Sequence, residues 1–154
     1  MMFETIKLII KSLFAKNDHY RRHCVSFVFQ NYNLIDYMTA EENVRLTTKE
    51  NPLKYLTRVG LKRTEARRNV MKLSGRQQQR VAIARALASG APVILADEPT
   101  GNLDEDTADE IIELLKQNAR ELNRCVVIVS HSNKVAEASD VVLELSHGQL
   151  YKVR

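Results

Sequence analysis

Glycine is scarce in this sequence, and its scarcity excludes one common phosphate site. Only five glycines occur among 154 residues. No two of them have the spacing G-x-x-x-x-G-K-[ST], the loop whose backbone amides cradle phosphate groups. These 154 residues therefore contain no phosphate-binding loop of that kind.

Cysteine and long apolar runs are scarce as well. The two cysteines, Cys24 and Cys125, cannot make a disulfide framework, so we expect a reduced, cytoplasmic setting. No apolar stretch approaches the roughly 18–20 residues of a membrane-spanning helix, so we expect no transmembrane segment. The start of the chain has no A-x-A-like cleavage site, so we expect no signal peptide. The hydrophobic fraction of 44% suffices for a folded core, and the length suits one domain.

Positive charge is concentrated in one stretch of the chain. Residues 54–85 hold ten Lys/Arg and a single acid, Glu65, within a chain of net charge +4. Such a stretch can be a nucleic-acid-binding face, a solvated helical face or a surface for an acidic partner. The absence of interleaved aromatics and of a zinc-knuckle pattern disfavours nucleic acid.

The apolar pattern predicts an α/β fold with a mostly parallel sheet flanked by helices. Near-continuous runs of Val, Ile and Leu are typical of parallel strands buried on both faces. We predict such strands at 25–29, 92–96, 125–130 and 141–145, and a hairpin over 142–153 that closes the sheet edge. Helical periodicity and caps predict helices at 40–47, 52–59, 63–72, 74–89, 107–123 and 132–138.

The N-terminal segment shows a different pattern. Residues 3–14 place Phe3, Ile6, Ile10 and Leu13 on one helical face, which predicts an amphipathic helix. Such a helix can pack on its own protein, lie on a membrane surface or contact a partner.

Two acids follow a predicted core strand directly. Asp97 and Glu98 end the apolar run that begins at Val93, and ligands of open α/β sheets bind at the carboxyl ends of strands. An Asp there can hold Mg²⁺ through water, and a Glu there can orient or deprotonate a water molecule. His131 follows another predicted strand, so we expect it at the same edge as Glu98. The simpler interpretations are a solvated acidic turn and an ordinary exposed histidine.

Two helix starts carry anion-binding features. Ser74 and Gln77 form a capping box, and Gly75 would let an anion approach the backbone of the helix N-terminus. Asp104 is the expected N-cap of the helix that follows Gly101. Most capped helices bind nothing, so neither feature alone indicates a site.

Together, in order and spacing, these pieces resemble the nucleotide-binding domain of ATP-binding-cassette (ABC) transporters. LSGRQQQRVAIARAL resembles the family's signature motif, VILADEP its Walker B strand, GNLD its D-loop, and VSHS the segment with its switch histidine. FVFQNYNLIDYMTAEENV resembles the glutamine loop that leads into the helical subdomain. The sequences ADEPTGNLD and the glutamine loop are similar to those of the exporter-associated branch, which includes lipoprotein-release, macrolide and antimicrobial-peptide systems.

The resemblance implies a set of roles around ATP and Mg²⁺. Asp97 would hold Mg²⁺ through water, and Glu98 would be the general base. His131 would contact the γ-phosphate. Gln30 would sense the metal and the water, and it would couple to the membrane subunit.

The resemblance also implies a dimer with composite sites. Ser74, Gly75 and the residues after them, Arg76 and Gln77, would face the ATP held by the opposite subunit, and Asp104 would act across the interface. The expected partners are a membrane subunit and a second ATPase subunit, at the inner face of the cell membrane.

Two departures from the family pattern bear on activity. The resemblance covers residues 20–154, with the helical subdomain at about 38–89, whereas residues 1–19 form a divergent segment without the Walker A loop. Arg76 replaces the signature's second glycine, where it can either supply charge to a phosphate or block closure. We therefore expect a truncated ABC ATPase subunit that is inactive alone, or else a non-catalytic partner that presents its signature helix to an intact subunit.

Overall fold

Three parallel strands form the sheet that carries the site. The computed structural model of the chain describes residues 23–147 and 149–154. Within these ranges the strands are β1 (Val25–Val28), β2 (Val93–Asp97) and β3 (Cys125–Val129), in the order β1-β2-β3. Val25 pairs with Val93 and Val93 with Cys125, so the strands run in register. The predicted α/β class is confirmed. The amphipathic helix predicted at 3–14 lies outside the described residues.

Helices precede and follow these strands as the periodicity predicts. They are α1 (Ala40–Arg45), α2 (Pro52–Arg58), α3 (Arg63–Ala66), a 3-10 helix (Val70–Lys72), α4 (Gly75–Ala88), α5 (Glu105–Glu121) and α6 (Asn133–Ala138). The main core lies between one face of the sheet and helices α1, α2, α4 and α5, with Leu56, Ile83, Ile94 and Ile111 fully buried or nearly so. On the other face Val25 and Val93 are buried, whereas β3 is half-buried and Val129 is 62% exposed. Burial on both faces, as predicted, thus holds for β1 and β2 better than for β3.

The prediction of a buried strand at 141–145 is wrong. This segment forms β4 (Leu143–Ser146), which is antiparallel to β5 (Gln149–Lys152) in a separate two-stranded sheet. The predicted hairpin is present, but it does not close the edge of the parallel sheet. A hairpin strand needs only its neighbour for backbone hydrogen bonds, so Leu145, Leu150 and Tyr151 stay exposed, Leu145 at 70%, and Leu143 is half-buried.

The single helix predicted at 63–72 is divided in two. The backbone N–H of Ala40 donates to the carbonyl of Arg68, and that of Val70 donates to the carbonyl of Met38. These bonds form an isolated antiparallel bridge between Asn69 and Thr39, just before α1. The side chain of Asn69 then accepts from the N–H of Met71 and starts the 3-10 turn. Tertiary pairing with residues 38–40 therefore interrupts a segment that is locally helical.

Helix α4 links the helical layer to the sheet. Its N-cap is Ser74, and the predicted capping box with Gln77 is present. Its buried residues cover most of its circumference, which is expected for a helix enclosed by α1, α2 and β1. One of them is polar: the side chain of Gln79 is fully buried.

Candidate functional site

The polar residues of the site follow the carboxyl ends of the three parallel strands. Residues 29–33 follow β1, residues 98–104 follow β2, and residues 130–132 follow β3. Because parallel strands in register end together, these three segments meet at one edge of the sheet.

Glu98 is the centre of this edge. Its backbone has a φ of 43°, in the left-handed region, and its N–H donates to the carbonyl of Val129 at 2.9 Å. Its carboxylate accepts from the Ser130 hydroxyl at 3.0 Å and from the backbone N–H of His131 at 3.1 Å. The His131 ring is fully exposed, and its Nε2 lies 3.8 Å from Glu98 Oε1. The predicted juxtaposition of Glu98 and His131 is confirmed.

Gln30 joins the same edge from the end of β1. Its carbonyl accepts from the side-chain amide of Asn102 at 3.2 Å. A Cβ added at Gly101 would stand 3.0 Å from the side-chain nitrogen of Gln30 and 3.5 Å from the Cβ of Glu98. Gly101 therefore leaves the space in which Gln30 approaches the turn after Glu98.

Asp97 is the acid best placed for a cation at this edge. It is the last residue of β2, pairs in register with Val129 and is exposed. Within residues 23–147 and 149–154, no group of three or more His, Cys, Asp or Glu could hold a metal ion by itself. A single exposed carboxylate beside Glu98 fits Mg²⁺, which is commonly bound through one or two carboxylates and keeps several waters.

The start of α4 forms a second group. Ser74, Gly75 and Arg76 are all exposed. Gln77 is held by three hydrogen bonds within the chain. Its backbone N–H donates to the Ser74 hydroxyl, and its side-chain oxygen accepts from the backbone N–H of Ser74. Its side-chain nitrogen donates to the carboxylate of Glu65. A Cβ at Gly75 would stand 3.1 Å from the Tyr32 hydroxyl. Tyr32 thus reaches from the loop after Gln30 to the start of α4.

Asp104 and Arg76 lie on the side of this group nearest α5. Asp104 caps α5 by accepting from the N–H and the hydroxyl of Thr107, and these bonds lower the pKa of its carboxyl; the charge of Arg76 contributes in the same direction. The Arg76 guanidinium contacts the carboxylate of Glu110. The substitution of Arg for Gly therefore places a cation beside the Asp104 cap.

The structure thus assembles the predicted residues into two groups. Gln30, Asp97, Glu98 and His131 share the sheet edge, whereas Ser74, Gly75, Arg76, Gln77 and Asp104 surround the starts of α4 and α5. No hydrogen bond or ion pair in the described part of the chain joins one group to the other, and Tyr32 lies between them.

Several contributing residues were not predicted. Ser130 could have been suggested by its place directly before His131. The side-chain amide of Gln79 donates to the carbonyl of Pro99 at 2.6 Å. In the sequence, a polar residue on the inward face of α4 is the feature that could have indicated this contact. Arg85 donates to the carbonyls of Tyr32 and Asn33, a long-range contact without a local signal.

The arrangement of helices on a parallel sheet, with acids and a histidine at its carboxyl edge, defines an α/β domain of nucleotide-binding type. The family model described as ABC transporter matches residues 4–101, which is more than half of the sequence. The chain belongs to the ATP-binding domains of the ABC transporter family.

Individual relatives agree with this assignment. The chain is 44% identical over 140 residues to the uncharacterized ABC transporter ATP-binding protein YclH of Bacillus subtilis, covering 84% of this chain and 62% of YclH. It is 40% identical over 141 residues to the lipoprotein-releasing system ATP-binding protein LolD of Legionella pneumophila, covering 85% of this chain and 62% of LolD. The chain therefore spans about three fifths of the length of these relatives.

A solved structure shares the fold. The cassette MJ0796 of Methanocaldococcus jannaschii, in a dimeric post-hydrolysis state bound to ADP and Pi, matches with a TM-score of 0.76 and 36% identity. The match covers 92% of this chain and 69% of that one. None of the helices among the described residues is long and apolar enough to cross a membrane.

Proposed function

We propose that this chain is the part of an ABC transporter ATP-binding subunit that carries the glutamine loop, the signature helix and the Walker B strand, and that it serves membrane export. The observation that carries the proposal is the gathering of Gln30, Glu98 and His131 at one edge of the sheet. A relative supports export, since LolD is an ATP-binding protein of a lipoprotein-releasing system.

The residues of the edge have distinct tasks in this proposal. Bound ATP with Mg²⁺ supplies the phosphoanhydride bond that is hydrolysed. Asp97 would hold the metal through water, and Gln30 would sense the metal and the water. Glu98 accepts a proton from the attacking water, while the bonds from Ser130 and the N–H of His131 orient its carboxylate. The exposed His131 ring is free to contact the γ-phosphate.

The sequence supports a limit on this activity. The 154 residues contain no G-x-x-x-x-G-K-[ST] segment, and in P-loop ATPases that loop and its lysine cradle the β- and γ-phosphates. We expect the 154-residue chain alone to show no saturable binding of Mg²⁺–ATP in calorimetry and no ATPase activity. Tight, Mg²⁺-dependent binding by the pure chain would overturn this limit.

The chain can still contribute to a composite site in a dimer. Ser74, Gly75 and Asp104 are exposed and would face the ATP of an intact second subunit, as the dimeric state of MJ0796 suggests. With a membrane subunit, this dimer would lie at the cytoplasmic face of the membrane.

Association with an intact cassette tests the composite site. The labelled 154-residue chain is mixed with MJ0796, with and without a non-hydrolysable ATP analogue, and binding is followed by fluorescence anisotropy. We expect nucleotide-dependent association that Ser74→Ala weakens. Ser132→Ala is the matched control, because Ser132 is also an N-cap serine but makes no side-chain capping bond. Equal association with and without the analogue would contradict the proposal.

The basic stretch 54–85 supports this function rather than nucleic-acid binding, because several of its cations are engaged within the protein. Lys54 pairs with Glu50, Arg58 with Glu121, and Arg85 binds loop carbonyls. We expect no salt-dependent shift of DNA or RNA with this chain at low ionic strength; such a shift would restore the nucleic-acid alternative.

A further inference from the structure

The parallel sheet has a second apolar face, opposite the main core, which we call the outer sheet face. The strand register places its side chains in two rows across the sheet: Val25, Val93 and Cys125, then Phe27, Leu95 and Val127. Val25 and Val93 are 6% exposed, and the other four are half-buried. Phe29, just beyond β1, stacks on Phe27 with the ring centroids 5.6 Å apart. The outer sheet face is therefore a continuous apolar surface.

The described helices leave this face to the strands. The apolar cluster on it consists, among the residues that the structure describes, of strand residues and of Cys24, which directly precedes β1. The main core on the other face instead combines strand residues such as Ile94 with helical residues such as Ile83 and Ile111. Parallel sheets of α/β proteins have both faces covered, because each face is apolar and has to be removed from water. A cover for the outer sheet face therefore has to come from another segment or from another molecule.

One segment outside the described ranges has the pattern and the length of such a cover. Residues 3–14 have the periodicity of an amphipathic helix, with Thr5 and Ser12 on its polar side. The apolar side of this predicted helix carries Phe3, Ile6, Ile10 and Leu13. A helix of this length measures about 18 Å by 10 Å, and a strand of five residues such as β3 is about 17 Å long. The predicted helix therefore matches the sheet in length.

The connection between this segment and the sheet favours it over a separate molecule. Residues 15–24 join the predicted helix directly to Val25, the first residue of the outer sheet face. A connection of this length extends to at most about 33 Å, and neighbouring strands are only about 4.8 Å apart. The segment can therefore reach all three strands. Covalent attachment gives it an effective concentration on the order of millimolar at the face, which a free partner would have to exceed.

We propose that residues 3–14 dock as a helix on the outer sheet face of the same chain, with the apolar side of the helix against β1, β2 and β3. The polar side, with Lys7 and Lys11, then faces water. This interface needs no nucleotide and no second subunit, so it is independent of the composite site proposed above. Cys125 lies beneath the docked helix, and the reactivity of its thiol therefore reports docking.

Labelling of Cys125 with a maleimide, followed by mass spectrometry, tests the proposal in the 154-residue chain carrying Cys24→Ser. We expect the double variant Ile6→Asp/Ile10→Asp to be labelled at least about tenfold faster, because the loss of one buried aliphatic side chain already shifts an equilibrium by about that factor. Burial raises the pKa of the Cys125 thiol, so uncovering it also increases the reactive thiolate.

The double variant Thr5→Asp/Ser12→Asp is the matched control. It adds the same two negative charges to the same predicted helix, but on the polar side. We expect its labelling rate to stay within a factor of about two of the parent rate, as for other surface substitutions. Thermal unfolding monitored by circular dichroism checks that every variant is folded.

A second measurement on the unchanged chain does not depend on the folding of any variant. In a sample with labelled Ile and Val methyl groups, we expect nuclear Overhauser effects from Ile6 or Ile10 to Val93 or Val127 on the outer sheet face. A mixture of Ile-labelled and Val-labelled chains should not show these effects, because the contact lies within one chain. Light scattering of the same sample gives the number of chains per particle.

Three results would overturn the proposal. The first is equal labelling of Cys125 in the parent and in Ile6→Asp/Ile10→Asp, or the absence of the methyl contacts in the unchanged chain. The second is a dimer whose methyl contacts appear in the mixture of labelled chains, which would assign the face to a second copy. The third is loss of the methyl contacts when the chain binds vesicles of phosphatidylethanolamine and phosphatidylglycerol, which would assign the helix to a membrane surface. No nucleotide is present in these experiments, so none of the three results bears on the composite site.

Discussion

The Glu98 carboxylate accepts a hydrogen bond from the backbone N–H of His131 at 3.1 Å, and its second oxygen accepts from the Ser130 hydroxyl at 3.0 Å. The end of β3 thereby fixes the side chain that follows β2. Because Glu98 has a left-handed backbone, its direction depends on these contacts rather than on the strand alone.

Ser130→Ala tests this contact. The change removes one hydrogen-bond donor to the half-buried Glu98 carboxylate, so we expect the free energy of unfolding to fall by about 1 kcal/mol. Urea denaturation of Ser130→Ala, Glu98→Gln and the double variant measures the coupling between the two side chains. Strictly additive losses would show that the hydroxyl does not hold the carboxylate.

Gln79 provides a second prediction, because it is a fully buried amide whose nitrogen donates to the carbonyl of Pro99 at 2.6 Å. Its Oε1 has no partner in the part of the chain that the structure describes. Gln79→Met keeps the approximate volume but leaves the Pro99 carbonyl unpaired, so we expect a loss of about 1–3 kcal/mol in denaturant unfolding. A loss near zero would mean that the bond to the turn after Glu98 is dispensable.

Gln79→Glu is expected to lower the free energy of unfolding more than Gln79→Met does, by about 3–5 kcal/mol at neutral pH, because it buries an unpaired charge. Burial raises the pKa of such a carboxyl in the folded state above its unfolded value of about 4.3. The folded state then binds more protons, so the loss relative to the unchanged chain should shrink as the pH falls towards 4. Unfolding measured at pH 5 and pH 7.5 checks this trend, and a pH-independent loss would contradict it.

Arg85 is predicted to hold the loop after Gln30. Its guanidinium donates to the carbonyls of Asn33 at 2.7 Å and Tyr32 at 3.1 Å, two residues with φ values of 48° and 60°. Arg85→Lys cannot make both bonds in the same geometry, so we expect a loss of about 1–2 kcal/mol and faster amide exchange in residues 30–33. Arg67→Lys, at an exposed position, is the control. Unchanged exchange in Arg85→Lys would refute the role of Arg85.

The stability of the folded chain is expected to depend on pH through Asp104. The hydrogen bonds from Thr107 lower the pKa of the Asp104 carboxyl in the folded state. The unfolded chain therefore binds more protons near the ordinary Asp pKa of about 3.9. The stabilisation that the Asp104 carboxylate gives to the folded state is present above that pH and is lost as the pH falls through the lowered pKa. Asp104→Asn keeps a capping side chain without the titration. Thermal midpoints from pH 6 to pH 2 should converge for the two proteins at the acid end, and parallel curves would contradict the prediction.

Local sequence was sufficient for most elements of the fold. The N-caps Ser74 and Asp104 were predicted because a capping side chain bonds to an amide only three residues away. The predicted strand ends, Ala96 and Ser130, lie within one residue of the observed ends, Asp97 and Val129, because the apolar runs stop at polar residues. The edge shared by Glu98 and His131 was predictable because parallel strands in register end together.

The errors were at positions that depend on distant partners. Residues 63–72 have helical periodicity, yet backbone bonds to residues 38–40 interrupt the helix. The apolar run at 141–145 has the composition of a core strand, but its partner in the structure is the hairpin strand β5. Composition records how apolar a segment is, whereas burial depends on which other segment packs against it.

The sequence by itself determined the element types, the motif order and the exchange of glycine for Arg76 in the signature. Only the tertiary structure decided which side chains meet: Glu98 with Ser130, Gln79 with Pro99, and Arg76 with Glu110 on another helix. The reason is physical. Helix propensity, capping and periodicity act over a few neighbouring residues, whereas these contacts join positions 20 to 34 residues apart, and their geometry exists only after the sheet and helices have packed.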